Sequence, residues 1–206
     1  MKPSRLRLYG HPLSGNAYKV KLLLSFLGLS YENIDVALER GEHQQPAFLA
    51  LNPFAQVPVL VDGETVLADA QAILVYLARQ YGGDQADSWL PLEPLPMAKV
   101  MRWLSTTAGE VRQGPESARL YHLFKVSTID IEQTTKKSTF IMQQLEQHLT
   151  QREWLACDRL TIADIAVFPY IALSRDGQVP LEVYPWVRGW IERIKQQPGF
   201  VEMPGI

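Results

Sequence analysis

The strongest chemical signal in the chain is the run Asn52-Pro53-Phe54-Ala55-Gln56-Val57-Pro58, followed at a short distance by Asp69. A proline at the first residues of a strand removes one ladder donor, and a cis Val57–Pro58 bond would turn the N–H and C=O of Val57 outward. Those groups can then pair with another peptide, so that a short peptide ligand docks as an added strand. Asp69 stands where a helix begins, and the backbone N–H groups and positive dipole end of such a helix suit a ligand carboxylate. An ordinary turn followed by a helix cap accounts for the same residues without a ligand.

The elements that must position these residues follow from hydrophobic spacing. Arg5 to Tyr9 alternates Leu6 and Leu8 with Arg5 and Arg7 and ends at Gly10 and Pro12, the pattern of a strand closed by a turn. From Gly15, the residues Val20, Leu23, Leu24 and Leu27 recur at helical spacing up to Gly28, and Tyr31 to Val36 reads as a second strand. A polar stretch, Glu39 to Gln45, leads into one irregular helix over Pro46 to Asn52. Val57–Asp62 and Glu64–Leu67 then form a hairpin around Asp62-Gly63. Asp69 caps a helix with Ile73, Leu74, Leu77 and Tyr81 on its apolar face, stopped by Gly82-Gly83. The order is β-α-β-α-β-β-α.

Residues 83–96 are rich in proline and poor in periodicity, which reads as a linker. Beyond it, helical patterns cover Met97–Val111, Ser127–Leu149, Thr161–Leu173 and Tyr184–Gln196. The spacing therefore predicts an α/β domain over residues 1–82 and an all-helical one over 97–206. Trp103, Trp154, Trp186 and Trp190 fall on helical patterns, where most such aromatics are core.

Composition excludes several classes of function. The formal net charge of −2 over 206 residues gives no electrostatic footprint for nucleic acid. No apolar stretch reaches the length of a membrane span and no targeting signal is visible, so the cytoplasm is the expected location. The single cysteine, Cys157, rules out an internal disulfide and reads as a buried structural thiol. His11, His43, His122 and His148 are dispersed, so no metal is expected.

Together with the order of elements, Gly41-Glu42-His43, Asn52-Pro53-Phe54 and Gln56-Val57-Pro58 resemble the glutathione S-transferase family, most closely its serine-type, phi-like and related bacterial members. Leu160-Thr161-Ile162-Ala163-Asp164 resembles the family's folding signature, which is physically a capping box with a stabilising role. The resemblance covers nearly the whole chain. It implies a thioredoxin-like domain packed on a helical bundle, and glutathione as co-substrate.

By the same resemblance, Val57, next to Pro58, would hold the cysteinyl backbone of glutathione, with Gln56 and His43 near its backbone and glycyl end. Asp69 would lie near the γ-glutamyl ammonium. Two positions depart from the pattern: Ala70 stands where relatives usually carry Ser or Thr, and Gln44 where plant relatives often carry lysine. One neutral hydrogen bond absent at Ala70 is worth about 0.5–1.5 kcal/mol. Ser14, opening the first helix, is the expected catalytic group. Its hydroxyl would donate to the glutathione sulfur and favour the thiolate, with Asn16 able to share the role. Ser14 as a plain helix cap is the bland alternative.

Other classes of the family use a tyrosine on the first strand, but by the resemblance, with Lys19 aligned to the basic residue usual in the family's first helix, that position falls at Leu8 rather than Tyr9, and a slip of one residue reverses the face. The pocket for a small hydrophobic electrophile is expected between the domains, lined by Pro12, Leu13, Arg102, Trp103 and Thr106. A homodimer is the family's usual state, and Phe54 is the candidate anchor, a local core contact being the other reading. The leading expectation is transfer of glutathione to small electrophiles. Glutathione-dependent reduction of disulfides or peroxides, and non-catalytic ligand binding, remain as alternatives.

Overall fold

The computed structural model describes residues 6–206. Strand β1, Leu6–Gly10, buries Leu6, Leu8 and Gly10 and leaves Arg7 and Tyr9 half-buried, as a period of two requires. Helix α1, Gly15–Phe26, follows after a short turn and is closed beyond Leu27 by Gly28 at φ +65°. Strand β2, Tyr31–Asp35, runs parallel to β1, with Leu8 opposite Asn33.

The polar stretch after β2 forms two 3₁₀ turns, Leu38–Arg40 and Glu42–Gln44, and the helix α2 that follows is only Pro46–Leu49. Strands β3, Val59–Asp62, and β4, Thr65–Ala68, make the hairpin predicted around Asp62-Gly63. Helix α3, Ala70–Tyr81, completes the β-α-β-α-β-β-α order. The sheet order is β2-β1-β3-β4, with β3 antiparallel to β1 and Tyr9 opposite Val59. This is a thioredoxin-like sheet.

Register has a direct consequence for the site. The carboxyl ends of β1 and β4 and the amino end of β3 all emerge at one edge of the sheet, since Tyr9 faces Val59 and Val59 faces Ala68. Ser14, Val57–Pro58 and Asp69, distant in sequence, are the next residues out from that edge.

The first compact unit runs to Ala86 and takes back Pro198–Pro204 near the end of the chain; the second comprises 87–197 with Gly205 and Ile206. The return of 198–204 is invisible to hydrophobic spacing. It is held on α1 by hydrogen bonds from the Tyr18 hydroxyl to the Val201 carbonyl (2.6 Å) and from Ser25 Oγ to the Gly199 carbonyl (2.6 Å). Segment 83–96, read as a linker, carries a 3₁₀ turn, the short helix α4, Ala86–Trp89, and the start of α5.

The second unit is helical: α5, Pro94–Thr106; a π-helical stretch, Thr107–Glu116; α6, Ser117–Phe124; α7, Ile131–Leu149; α8, Ile162–Ala172; and α9, Pro185–Lys195. The pattern read as one helix over 97–111 thus widens into a π-helix at Thr107. Pro115 inside this stretch cannot donate to an α ladder. Gly114 lies so close to α7 that a Cβ there would sit 3.0 Å from the Ser138 nitrogen. Helix α6 was not legible from spacing, and α7 begins four residues later than expected, after its Asp130 cap.

The capping box forms as read: the Asp164 carboxylate accepts from the Thr161 N–H at 3.0 Å, and the Thr161 hydroxyl accepts from Ala163 at 3.2 Å. Asp164 also accepts from the Leu155 N–H and the Trp190 indole N–H, each at 2.9 Å, so one carboxylate ties α8 to α9 and to the loop before α8. Trp103, Trp154 and Trp190 are core, whereas Trp186 is 52% exposed at the start of α9. Cys157 is half-exposed, not buried: it sits in a tight loop at φ +59°. Among the described residues no helix is long and apolar enough to cross a membrane, and no cluster of metal-ligating groups is present.

Candidate active site

Ser14 occupies the N-cap of α1 in extended conformation, and its Oγ accepts the Ala17 N–H at 3.2 Å. The capping reading is therefore correct for the acceptor side of this hydroxyl. A serine hydroxyl also carries one proton to donate. Among the described residues nothing takes that proton, so capping and donation to a ligand are compatible.

The turn that presents Ser14 is tight. Its N–H donates to the His11 carbonyl at 2.9 Å, and the Leu13 N–H donates to His11 Nδ1 at 3.2 Å. Gly10 is required where the strand meets the helix, because a Cβ there would lie 2.9 Å from that of Ala17. Ser14 and Pro12 border a cavity of about 350 Å³ closed on its far side by Val201–Pro204. Tyr18 and Lys21 also line it; burial first, and then Glu202, pushes the Tyr18 hydroxyl up, while burial lowers Lys21 against the opposing effect of Asp35. Asn16, in the first turn of α1, accepts from the ammonium of Lys19 at 2.7 Å.

The Val57–Pro58 bond is cis, as the residue pattern suggested. Among the described residues neither the N–H nor the C=O of Val57 has a partner. The loop before it is held by Asn52, which is 3% exposed. Asn52 Oδ1 accepts the Phe54 N–H at 3.0 Å and its Nδ2 donates to the Gln56 carbonyl at 2.8 Å, so both ends of one carboxamide shape the loop. Phe54 stands out from that loop, 80% exposed, which removes the reading of it as a local core contact.

Asp69 caps α3 at φ +74°, its carboxylate accepting the Ala72 N–H at 3.0 Å. The N–H groups of Ala70 and Gln71 have no acceptor among the described residues, and they point along the positive end of the helix dipole. Ala70 is buried. Gln71, which sequence reasoning missed, places its Oε1 in a buried position with no hydrogen-bond partner. Its only sequence signal is its place in the first turn after Asp69.

His43 lies on the second 3₁₀ turn, and its Nδ1 is likewise buried without a partner while Nε2 is 3.5 Å from the Gln44 amide. Gln44 and Gln56 are exposed. Buried unpartnered polar atoms are uncommon in folded chains. Here two of them, a cap with a spare proton, an unpaired peptide group and two orphan helix N–H donors belong to elements of one sheet edge. That set suits a short, multiply charged peptide.

Two family models match the chain: glutathione S-transferase, N-terminal domain, over residues 4–79, and glutathione S-transferase, C-terminal domain, over residues 98–198. The chain belongs to the glutathione S-transferase family. Glutathione S-transferase 3 of Zea mays is 34% identical over 95% of this chain and 91% of that protein. The disulfide-bond oxidoreductase YfcG of Escherichia coli is 30% identical over 89% of this chain and 87% of its own. A crystal structure of a glutathione S-transferase from Pseudomonas fluorescens superposes with a TM-score of 0.90 at 30% identity, covering 98% of this chain and all of that one.

In this transferase the residues expected around an electrophile are distributed as follows. Pro12 is exposed and Leu13 half-buried in the turn before Ser14. In the helical unit Arg102 is exposed and lies 5.3 Å over the Trp103 ring, and Thr106 is half-buried at the end of α5. Trp103 itself is 4% exposed, donates its indole N–H to the Leu155 carbonyl at 2.8 Å and meets His148 edge-on. Its ring is thus committed to the core of the helical unit. Tyr9, the rival catalytic residue, packs its ring edge-on to Phe48 at 6.5 Å within the small core around Val36, Val59 and Val61.

Proposed function

We propose that this transferase joins glutathione to small hydrophobic electrophiles, with Ser14 as the donor that holds the glutathione sulfur as thiolate. The observation that carries this reading is the unspent proton of Ser14 at the sheet edge that also presents Val57 and the α3 N-terminus. Glutathione bound as a short strand on Val57, with its γ-glutamyl carboxylate on the N–H groups of Ala70 and Gln71, would bring its cysteine toward Ser14. Asp69 and Gln71 Oε1 are suited to the ammonium.

A hydroxyl donating to sulfur, aided by the positive end of α1, stabilises the charged form of the thiol and so lowers its pKa. The thiolate then attacks an electrophilic carbon; a carbon–sulfur bond forms and the leaving group departs with its electron pair. Ser14 forms no covalent bond, and its part is electrostatic. The serine-type, phi-like reading rests on Ser14 and the segment Asn52–Pro58, and a homodimer anchored by Phe54 is supported by the exposure of that ring.

The test is an ultraviolet titration of protein-bound glutathione against pH, for the natural chain and for Ser14→Ala. The expected result is a bound thiol titrating well below free glutathione, with Ser14→Ala raising it by about one to two pH units, a ten- to hundred-fold loss of thiolate. Binding without any depression would overturn the reading. Likeness to a disulfide-bond oxidoreductase, together with Asn16 beside Ser14, favours glutathione-dependent reduction of disulfides or peroxides as the second reading. Product analysis separates them: a thioether conjugate for transfer, oxidised glutathione for reduction.

A further inference from the structure

The cavity that Ser14 borders measures about 350 Å³, a size that holds small molecules. Every residue that lines it belongs to the first unit. Ser14, Tyr18, Lys21 and Ser25 follow one another at the spacing of a single helix face, so the cavity runs from Ser14 along α1. Pro12, Leu29, Met203 and Pro204 give it an apolar lining. Of the residues expected around an electrophile it includes Pro12 alone.

Its polar groups are unequally satisfied. The Tyr18 hydroxyl donates to the Val201 carbonyl and Ser25 Oγ to the Gly199 carbonyl, and His11 Nε2 lies 3.7 Å from a Glu39 carboxylate oxygen. The Lys21 ammonium is half-buried, and among the described residues it makes neither a hydrogen bond nor an ion pair. Asp35 favours its charge from beyond contact, and burial outweighs that influence. The Tyr31 hydroxyl, also half-buried in the lining, has no hydrogen-bond partner among the described residues. An ammonium held partly away from water without a partner is unfavourable, and a ligand carboxylate removes that cost with a charge-assisted hydrogen bond. Glu202, the one carboxylate in the lining, is exposed and keeps its water.

We propose that this cavity is the acceptor pocket and that its substrates are aromatic electrophiles carrying a carboxylate, held by the Lys21 ammonium and the Tyr31 hydroxyl with the reacting carbon at the Ser14 end. The proposal rests on the reading of Ser14 given above and names its substrate class. Between Ser14 and Lys21 the helix rises about 10 Å. A benzene ring with its carboxylate opposite the reacting carbon, and one contact at each end, spans a similar length. On an aryl chloride of this kind the glutathione thiolate forms a carbon–sulfur bond, and chloride leaves with its electron pair.

The experiment has two readouts, for the natural chain, Lys21→Gln, Lys21→Arg and Glu202→Gln. Calorimetry with dinitrobenzoate, which lacks the chloride, measures the pocket without chemistry. The ratio of kcat/KM for chlorodinitrobenzoate to that for uncharged chlorodinitrobenzene measures the preference for a carboxylate. Lys21→Gln is expected to weaken dinitrobenzoate binding about ten-fold and to lower the ratio by about as much. Lys21→Arg keeps most of both, and Glu202→Gln tightens dinitrobenzoate about two-fold.

An unchanged ratio in folded Lys21→Gln, or an equal loss for both electrophiles, overturns the proposal while Ser14 stands. Should Lys21→Gln fail to fold, Glu202→Gln decides, and an unchanged affinity for dinitrobenzoate overturns the pocket. Binding of dinitrobenzoate through Lys21, with no conjugate formed from either electrophile, overturns the transfer reading and leaves the carboxylate site supported on its own.

Discussion

The substitution Ala70→Ser tests how the γ-glutamyl end is held. Ala70 is the first residue of α3 and is 3% exposed, directly after the Asp69 cap. The N–H groups of Ala70 and Gln71 already await an acceptor, and a serine hydroxyl adds a third donor on the same side. One further hydrogen bond contributes about 0.5–1.5 kcal/mol net. That corresponds to glutathione binding tighter by about two- to twelve-fold. The site being buried, the hydroxyl in the free protein has to find another partner, and Gln71 Oε1, buried and unpartnered, is a neighbouring acceptor on the helix. The net gain therefore falls in the lower half of that range.

Isothermal titration with glutathione, compared with S-methylglutathione, measures this gain apart from any change at sulfur. Both ligands should gain equally, because the hydroxyl acts at the other end of the molecule, and the bound thiol pKa should not move. Unchanged or weaker binding in a variant that melts at the natural temperature would show that the carboxylate does not sit on the α3 N-terminus. The assignment of Ala70, Gln71 and Asp69 would then fail.

Two other perturbations probe assembly and stability. Phe54→Ser, removing an 80% exposed ring, should weaken self-association by about 2 kcal/mol or more, some thirty-fold, read by sedimentation equilibrium. Asp164 is wholly buried; burial pushes its carboxyl up from 3.8 to about 6, while hydrogen bonds from Leu155, Trp190 and Thr161 oppose the rise. A carboxyl whose folded pKa lies above its unfolded one gives stability that is full below pH 3.8 and lost as pH rises through about 6. Relative to Asp164→Asn, the natural chain should gain up to about 3 kcal/mol in denaturant melts between pH 7 and pH 4; a constant difference across that range would refute the assignment.

Hydrophobic spacing made most of the first unit legible, because its strands are short and its two long helices, α1 and α3, each begin at a side-chain cap. Ser14, Asp69, Asp130 and Thr161 each accept a backbone N–H at a helix start. The helical unit was less legible where local rules give way to packing. The helical pattern was read as ending at Val111, yet the chain continues as a π-helix to Glu116, with Gly114 in close approach to α7. Cys157 was read as buried from residue type, whereas its exposure is decided by a loop at φ +59°; of the four tryptophans expected mostly in the core, Trp186 is the exposed one, at the outer start of α9. Of the candidate site, Ser14, Val57 and Asp69 are named by the sequence, and the structure places them at one sheet edge. Gln71 is not legible there, because its signal is a carboxamide oxygen withdrawn from water, which depends on packing.

Much of the surface that the proposed function assigns to glutathione is main chain: Val57 N–H and C=O, and the N–H groups of Ala70 and Gln71. Main-chain contacts persist whatever side chain a position carries, so on that reading Gln44 in place of a cation and Ala70 in place of a hydroxyl would tune affinity without removing the site. The residues whose identity cannot change freely are those that shape the backbone. Asn52 uses both ends of its carboxamide to form the loop before Pro58, and Gly10 allows the strand-to-helix turn that presents Ser14. Asp69 holds φ +74° while capping α3. Ser14 differs in kind, because the proposed thiolate requires a side-chain donor at one place, which the main chain of the sheet edge does not supply. On the proposed reading, recognition of glutathione is largely a property of the fold, and activation of its sulfur a property of the Ser14 hydroxyl.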